Sequence, residues 1–470
     1  MDTERIDRRL IEICNERAFA GLGAGIVKDG RLVYSKGLGI ADAALRIPVT
    51  SQTSFRIGSI SKTFTAIGLM QLHEQERFHL DDPVNDYLKA YKIEQPAGAA
   101  PVTFRHLLTH TGGIGELRRL TDLLRPTFGL AAKPGATPSL RDYYAPALKA
   151  DVAPGVKWAY ANHGFATLGQ LVEDISGRPF GEYMRENVFA PLKMDRTDYL
   201  LSERVHGTFA QGYRMTRHGL RPIPFREIIV GPAGSIFSSV EEMARYVAAL
   251  LAGGANEHGR ILKSETLAMM MSPQYQLDGR LAAMGLAFML SRENGIRIVG
   301  HDGGWPGFTS AMWLAPDQGT GALAFTNTSA LALDVVAIEL LRLGLEMPEA
   351  PARPATLEPR ELWSEMCGTY RPVKGFNSNL RLWMIGGAAR VFVRDGHLRI
   401  GGRTPYGPIR RGLALHPADP ADPLLFQCEL SGIRLMVLFR RGAAGAIESL
   451  DAAGTAGAFA TLHKNKRSRA

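Results

Sequence analysis

Apolar positions recur at helical and strand spacings through the first 346 residues. Helical periodicity predicts helices over Thr3–Ala18, Ser61–Glu76, Gly164–Ser176 and Val240–Leu251. Apolar runs predict strands at Ala24–Lys28, Arg31–Ser35, Ala311–Leu314 and Ala322–Asn327, and an Asp29-Gly30 turn joins the first two into a hairpin. This mixture favours an antiparallel sheet with helices packed on it, α+β in class, over alternating βαβ units.

The pattern changes after residue 346. Residues 347–359 hold four prolines and read as a semi-rigid linker between two domains, 1–346 and 360–470. Five short apolar runs follow, at Leu380–Ile385, Val391–Val393, Leu398–Ile400, Leu424–Phe426 and Ile433–Phe439. An Asp395-Gly396 turn is typical of a tight hairpin. These runs indicate a small all-β barrel or sandwich, and we predict the barrel.

Composition narrows the class of protein. The 470 residues are 45% hydrophobic and 21% charged, which is typical of a soluble globular chain. No apolar run of roughly 18 residues predicts a membrane span, and the charged N-terminus does not resemble a signal peptide. Three widely separated cysteines predict neither a disulfide framework nor a zinc site, so we expect a cytoplasmic protein.

The net charge of +9 comes entirely from the end of the chain. Residues 352–470 carry 18 basic and 9 acidic side chains, whereas the charges of residues 1–351 balance. A concentration of basic residues can mark an anionic partner. Here the arginines are scattered singly among apolar residues and only 464–469 form a cluster, so we favour a solvated surface and expect no nucleic-acid partner.

The first candidate site lies at the start of the helix predicted at residue 61. Ser59 and Lys62 are three residues apart, so their side chains lie on one helical face. A helix N-terminus stabilises negative charge near the serine, and the lysine can carry a proton, as nucleophilic catalysis requires. The alternative is structural: Ser59 as a helix cap and Lys62 as a surface cation.

Two further segments combine polar side chains with loop residues. Tyr160 and Asn162 are two apart after a Pro-Gly turn, so both can point into one cleft, although Tyr160 alone is more typical of a packed aromatic residue. The segment GHDGGWPGFTS (300–310) places His301 and Asp302 beside Gly303 and Gly304, which would expose backbone N–H groups to a ligand. The alternative for this segment is a tight turn before a strand.

Ser-x-x-Lys, Tyr-x-Asn and His-x-Gly in this order resemble the signature elements of serine hydrolases related to class C β-lactamases, penicillin-binding carboxypeptidases, esterases and D-aminopeptidases. Residues 102–113, 165–177 and 231–246 resemble the same family, so the resemblance covers about residues 10–345. It implies a β-lactamase-like fold, with an antiparallel sheet sandwiched by helices. It implies no metal and no organic cofactor.

The resemblance also implies roles for individual residues. Ser59 would be the nucleophile, Lys62 its proton-transfer partner and Tyr160 the general base. Asn162 would contact the substrate amide, and the backbone N–H groups of Ser59 and Gly304 would form the oxyanion hole. The implied reaction is acylation of Ser59 by an ester or amide, followed by hydrolysis of the acyl-enzyme.

His301 departs from the pattern of β-lactamases and carboxypeptidases, which have a lysine there to receive a substrate carboxylate. A neutral histidine recognises anions weakly, so His301, Asp302 and Gly303 favour esters or peptides as substrates. We therefore predict an esterase or D-amino-acid-specific peptidase. The alternatives are a β-lactamase or D-alanyl-D-alanine carboxypeptidase, and a catalytically silent ligand-binding relative.

The C-terminal region resembles, on two segments, the lipocalin-like barrel that some of these relatives carry. The segments are CGTYR (367–371) and VFVRDGHLRIGG (391–402). Such barrels can shape a neighbouring active site and can mediate self-association. The expected partners are therefore a small ester or peptide substrate and further copies of the chain, as a homo-oligomer.

Overall fold

A computed structural model describes residues 1–17, 19–330, 333–348, 359–384, 386–454 and 458–465. Most of the predicted linker, residues 349–358, lies outside the described residues, as do residues 466–469 of the basic cluster. Among the described residues, no helix is both long enough and apolar enough to cross a membrane.

The N-terminal region is built on one antiparallel sheet of nine strands. In chain order these are β1 Gly21–Lys28, β2 Arg31–Asp42, β3 Ile47–Pro48, β4 Tyr275–Gln276, β5 Ala283–Met284, β6 Met289–Glu293, β7 Ile296–Trp305, β8 Phe308–Ala315 and β9 Thr320–Thr326. Their order across the sheet is β4-β5-β6-β7-β8-β9-β1-β2-β3. The predicted hairpin is confirmed, because Asp29 and Gly30 both have positive φ and join β1 to β2.

Helices cover both faces of this sheet. The longer ones are α1 Thr3–Arg17, α2 Ser61–Glu74, α3 Asn162–Ser176, α4 Val240–Leu251, α5 Ser264–Met270 and α6 Asp334–Gly344. Alternate side chains of β8 point to opposite faces, so Trp313 packs with Leu10 of α1 and Val336 of α6. On the other face Leu314 joins the core that contains α2 and α4. The predicted α+β class is confirmed.

Shorter helices and two-stranded pairs connect the long helices and the strands of the sheet. Short helices span Gly58–Ile60, Val84–Tyr87, Phe104–Leu108, Leu120–Leu124, Pro126–Gly129, Leu140–Tyr144, Phe180–Met184, Arg185–Phe189, Ala190–Leu192, Glu203–His206, Gly231–Ala233 and Pro316–Gln318. Two-stranded pairs join Phe55–Arg56 to Phe237–Ser238, Ala131–Ala132 to Glu227–Ile228, Ile93–Glu94 to Leu148–Lys149, and Tyr213–Thr216 to Gly219–Pro222.

The C-terminal region forms a second nine-stranded antiparallel sheet that is nearly closed into a barrel. Its strands are β10 Gly368–Pro372, β11 Ala389–Arg394, β12 His397–Gly402, β13 Leu413–Ala414, β14 His416–Pro417, β15 Leu425–Leu430, β16 Ile433–Arg441, β17 Ile447–Gly454 and β18 Ala458–Lys464. The sheet begins with β13 and ends with β14, which one residue separates, so its two edges meet. The predicted barrel is confirmed, and its lipocalin-like character stays a prediction.

One predicted strand of this region is wrong. Leu380–Met384 is a short helix, continuous with the turn Asn377–Asn379, and Ile385 lies outside the described residues. A short apolar run has no periodicity that distinguishes a buried strand from a helix. Further short helices span Arg360–Leu362, Trp363–Met366 and Gly407–Arg411.

The barrel packs directly against the N-terminal region. The ring of Phe459, on β18, contacts that of Trp158, in the loop before α3, in a tilted arrangement with 5.1 Å between the ring centroids. Arg440 of β16 donates to Asp278 at 2.8 Å. The helix Leu380–Met384 lies on the same side, and it carries Arg381 toward the loop before α3.

Candidate active site

Ser59 and Lys62 meet at the start of α2. The short helix Gly58–Ile60 runs into α2, so the two residues lie on one face as predicted. Lys62 Nζ donates to Ser59 Oγ at 2.8 Å, and the Lys62 side chain has no exposed surface. Lys62 is therefore not a surface cation, and the serine is held by a buried amine.

The amine of Lys62 has two further acceptors, Asn162 Oδ1 at 2.8 Å and the main-chain oxygen of Ala233 at 2.7 Å. These contacts fix the position of the amine beside the serine. Burial lowers the pKa of Lys62 well below its ordinary value, and repulsion by the Arg381 guanidinium lowers it further. A lysine with a lowered pKa holds more neutral amine at a given pH, and neutral amine can accept a proton.

Tyr160 lies next to the same pair. Its ring centroid is 4.8 Å from Lys62 Nζ and 4.3 Å from the guanidinium carbon of Arg381, and His110 stacks on the ring at 4.3 Å. Burial raises the pKa of the Tyr160 phenol, whereas Arg381 and a hydrogen bond with Ser59 oppose that rise. The phenol is consequently protonated at neutral pH.

A polar chain connects the nucleophile to the C-terminal region. Asn162, the first residue of α3, donates through Nδ2 to Glu116 Oε1 at 3.2 Å. Arg381 donates to both oxygens of Glu116, at 2.7 and 3.1 Å. Burial opposes ionisation of Glu116, but Arg381 outweighs it and holds the pKa of Glu116 below its usual value. The ion pair positions Asn162, which in turn holds Lys62.

Replacing Glu116 by glutamine should weaken this chain. The variant leaves Arg381 without its carboxylate, so we expect a loss of roughly 10- to 100-fold in kcat/KM from misplacement of Asn162. The free energy of unfolding should fall by roughly 1–3 kcal/mol. The matched control is Glu94→Gln, because Glu94 forms an exposed ion pair with Lys149 at 3.5 Å. Equal activity in both variants would contradict the positioning role.

The backbone of β7 approaches the Ser59 turn closely. A Cβ on Gly303 would lie 2.1 Å from the main-chain oxygen of Ile57 and 2.8 Å from the nitrogen of Ser59. Only glycine fits this position without moving the backbone. Gly304, the next residue, lines the same cavity as Ser59.

His301 and Asp302 occupy different positions around the cavity. The His301 side chain is fully buried, its Nδ1 lies 2.5 Å from the main-chain oxygen of Asp302, and it is not part of the cavity wall. Burial, together with the charge of Lys62, lowers the pKa of His301 to about 3. The structure therefore does not bring His301 to a substrate. Asp302 lines the cavity, and burial raises the pKa of its carboxyl.

The cavity above Ser59 has a volume of about 260 Å³. It is lined by Ser59, Leu130, Tyr160, Asn162, Ile228, Val230, Ala233, Gly234, Met289, Asp302, Gly303, Gly304, Trp305 and Arg381. Its size fits a small acyl or aminoacyl group, and Asp302 and Arg381 supply charges of opposite sign. In the part of the chain that the structure describes, no three His, Cys, Asp or Glu side chains converge as they would around a metal ion.

Three residues of the site were not predicted from the sequence. His110 and Glu116 belong to none of the three motifs, Ser-x-x-Lys, Tyr-x-Asn and His-x-Gly, that carry the family resemblance. Arg381 lies 319 residues after Lys62 in a run that was predicted to be a strand. A lone arginine in an apolar run gives no signal of a partner so distant in the chain.

Two buried histidines predict that acid destabilises the folded protein. Burial lowers the pKa of His163 to about 4 and that of His301 to about 3. The unfolded chain binds these protons near pH 6.5, so the free energy of unfolding rises with pH between the folded and unfolded pKa values. We expect a loss on the order of 1–2 kcal/mol per histidine from pH 7 to 5, measured by urea unfolding.

The variant His163→Gln should reduce this pH dependence. His218 is exposed and has no such burial, so His218→Gln should leave the dependence unchanged and serves as the control. A free energy of unfolding that is equal at the two pH values in the parent protein would contradict the burial of neutral imidazoles.

Comparison with known proteins assigns the family. The beta-lactamase family model matches residues 6–346. The D-aminopeptidase of Brucella ovis is 27% identical over 345 residues, 73% of this chain, and the alignment spans 62% of that enzyme's length, so less than two thirds of it is matched. Penicillin-binding protein 4 of Amycolatopsis lactamdurans is 26% identical over 377 residues, which cover 76% of this chain and 94% of that protein.

Solved structures include a relative of the whole architecture. The octameric penicillin-binding protein homologue from Pyrococcus abyssi superposes with a TM-score of 0.66 and is 25% identical, and the match covers 98% of this chain and all of the homologue. Its match extends through both large sheets. The family model covers more than two thirds of the chain and includes Ser59, Lys62, Tyr160 and β7. The chain belongs to the beta-lactamase family.

Proposed function

We propose that this protein is a serine hydrolase that cleaves an ester or amide bond through an acyl-enzyme on Ser59. The observation that carries the proposal is the 2.8 Å contact between Ser59 Oγ and the buried amine of Lys62, on the wall of a cavity of about 260 Å³. A silent binding protein has no need to bury a lysine against a serine, since burial of a charged group is unfavourable.

Acylation would begin with transfer of the Ser59 proton to Lys62. The lowered pKa of Lys62 supplies neutral amine for this step. The neutral amine keeps two N–H groups for Asn162 and Ala233, and its lone pair accepts from the Ser59 hydroxyl, the reverse of the direction in the charged form. Ser59 Oγ then attacks the substrate carbonyl carbon, and the carbonyl oxygen takes the negative charge of the tetrahedral intermediate. The N–H groups of Ser59 and Gly304 are the candidate donors that stabilise it, because both residues line the cavity.

Tyr160 is the candidate donor to the leaving group. The family resemblance implies that Tyr160 is the base, but its raised pKa favours the protonated phenol, whereas the lowered pKa of Lys62 favours the free amine. We therefore propose Lys62 as the base and Tyr160 as the acid that protonates the departing oxygen or nitrogen. Acylation leaves Lys62 protonated and Tyr160 as the phenolate. In deacylation water attacks the acyl carbon, its proton passes to the Tyr160 phenolate, and Lys62 returns its proton to the departing Ser59 Oγ, which restores both groups.

Asp302 supports a substrate with a free amine as one candidate class. Its carboxyl lines the cavity, and the D-aminopeptidase of Brucella ovis is a relative of the N-terminal region. His301 is buried and neutral, so it offers no positive charge to a substrate carboxylate. This favours an esterase or an aminopeptidase over a β-lactamase or carboxypeptidase.

A substrate screen tests the proposal. The purified full chain should hydrolyse p-nitrophenyl butyrate or D-alanine p-nitroanilide, and the cephalosporin nitrocefin should be a poorer substrate than either. Faster cleavage of D-alanine p-nitroanilide than of the L enantiomer would select a D-aminopeptidase over a simple esterase. Folded protein that hydrolyses none of these esters and amides would contradict the proposal.

Self-association is a further part of this proposal. The homologue from Pyrococcus abyssi is an octamer and matches this chain over its full length. We expect light scattering coupled to size-exclusion chromatography to give a mass that is a multiple of 51.2 kDa. The mass of a single chain at micromolar concentration would contradict self-association.

We also propose the cytoplasm as the compartment. Cys14, Cys367 and Cys428 are all free thiols, which suits a reducing environment. Fractionation of cells that express the full chain tests this, and recovery with the membrane or the secreted fraction would contradict it.

A further inference from the structure

The barrel encloses a second, larger cavity of about 380 Å³. Protein interiors are packed as densely as organic crystals, with few voids larger than a water molecule. A cavity of this size is therefore not a packing defect. Its volume falls within the range of about 300–1,000 Å³ that is typical of small-molecule sites.

The wall of this barrel cavity is divided by polarity. The strands contribute apolar side chains, among them Ile400, Leu435, Val437 and Ala452. The two charged side chains of the wall, Glu116 and Arg381, are paired with each other at the end that faces the N-terminal region. A cavity lined mostly by apolar side chains favours apolar molecules.

The barrel cavity adjoins the active site. Tyr160 and Arg381 line both the barrel cavity and the cavity above Ser59, so these two side chains form the partition between them. Trp158 lies at the same end, and its ring contacts that of Phe459 at a tilt of 59°. A molecule in the barrel would therefore present one end to the Arg381–Glu116 pair.

We propose that the barrel cavity binds an unbranched aliphatic chain of medium length whose single polar head lies at the Arg381–Glu116 pair. The apolar strand residues bury the aliphatic chain. Arg381 and Glu116, at the polar end of the cavity, lie next to the head. A peptide with several polar groups would leave those groups without partners among the aliphatic side chains. This inference concerns binding and does not depend on hydrolysis at Ser59.

Displacement of a fluorescent probe tests the inference. N-phenyl-1-naphthylamine should bind the full-length protein with an increase in emission, and hexanoate, octanoate and decanoate should displace it. Each added methylene should tighten binding by roughly three- to fourfold, until the cavity is full. Absence of probe binding, or affinities that do not change with chain length, would overturn the inference.

Variants locate the site within the barrel. Ala452 of β17 and Ala460 of β18 are cross-strand partners that both line the cavity, so Ala452→Phe and Ala460→Phe each fill it. We expect either variant to weaken decanoate binding at least tenfold. The matched control is Ala443→Phe, because Ala443 lies in an exposed turn of the barrel and should keep the parent affinity.

Two controls separate occupancy of the barrel from misfolding and from binding above Ser59. Circular dichroism and thermal unfolding show whether Ala452→Phe and Ala460→Phe are folded, and only a folded variant is used in the binding measurement. Covalent reaction of Ser59 with a small fluorophosphonate blocks the catalytic cavity and should leave the decanoate affinity within about threefold. Loss of binding in the blocked protein, or parent affinity in a folded filled variant, would overturn the barrel as the site.

Discussion

Replacing Ser59 by alanine is expected to reduce kcat/KM for every substrate by on the order of 10³- to 10⁶-fold, the range seen when a serine nucleophile is removed. The oxygen that would carry the acyl group is then absent, and Lys62 loses one of its three acceptors. The remaining two acceptors keep the amine in place, so the fold should be retained. Steady-state kinetics on p-nitrophenyl butyrate and urea unfolding measure the two effects.

Ser61→Ala is the matched control for that variant. Ser61 is buried two residues along the same turn, and its Oγ accepts a hydrogen bond from the N–H of Ile236 at 3.1 Å. Its loss should lower the free energy of unfolding by about 1 kcal/mol while activity persists. Activity that is retained by Ser59→Ala and lost in Ser61→Ala would contradict Ser59 as the nucleophile.

Replacing Lys62 by methionine should have the second largest effect. Methionine is of similar length and apolar, but it cannot accept the proton of Ser59, so we expect a loss of about 10²- to 10⁴-fold in kcat/KM. In the parent enzyme, hydrolysis requires the neutral amine of Lys62, so the activity falls as the pH drops below the pKa of Lys62. Because burial lowers that pKa, activity should persist to lower pH than an ordinary lysine would allow.

Two comparisons make this prediction specific. Lys36→Met removes a half-exposed lysine that pairs with Asp7 at 2.8 Å, far from the cavity, and should keep the parent activity. Tyr160→Phe removes the candidate acid and should impair amides more than nitrophenyl esters, because a nitrophenolate leaves without protonation. If Lys62→Met kept the parent rate and pH profile, Lys62 would not be the base.

The sequence was sufficient for the elements whose pattern is local. The helix Val240–Leu251 has a pronounced apolar stripe and was predicted to the residue, and the Asp29-Gly30 hairpin follows from turn chemistry. Ser59 and Lys62 are three residues apart on one helix, so their contact is fixed by helical geometry. The meeting of this pair with Tyr160, Asn162 and β7 could be predicted only from the family resemblance.

The contribution of the C-terminal region could not be predicted. Arg381 reaches the site because Leu380–Met384 is a helix rather than the predicted strand, and because that helix docks against the N-terminal region. Asn377 Oδ1 accepts from the N–H of Leu117 at 2.8 Å, a contact that fixes this docking. Contacts of this kind depend on how two separate sheets pack, and no local pattern encodes them.

The same limit applies to His301. Its place beside glycines made it a candidate for substrate contact, but its side chain is fully buried and lies outside the cavity wall, whereas Asp302 lines the cavity. His301 pairs with Met312 of β8, a residue of the buried core, and this register emerges only from the folded sheet.

The identity of the nucleophile is tested most directly by covalent labelling. A fluorophosphonate reacts with an activated serine by displacement of fluoride and leaves a stable phosphonyl group on its oxygen. We expect one label per chain, mapped by peptide mass spectrometry to Ser59, with loss of esterase activity in proportion to labelling and no label on Ser59→Ala. Activity that disappears while the label lies on another residue would contradict the account.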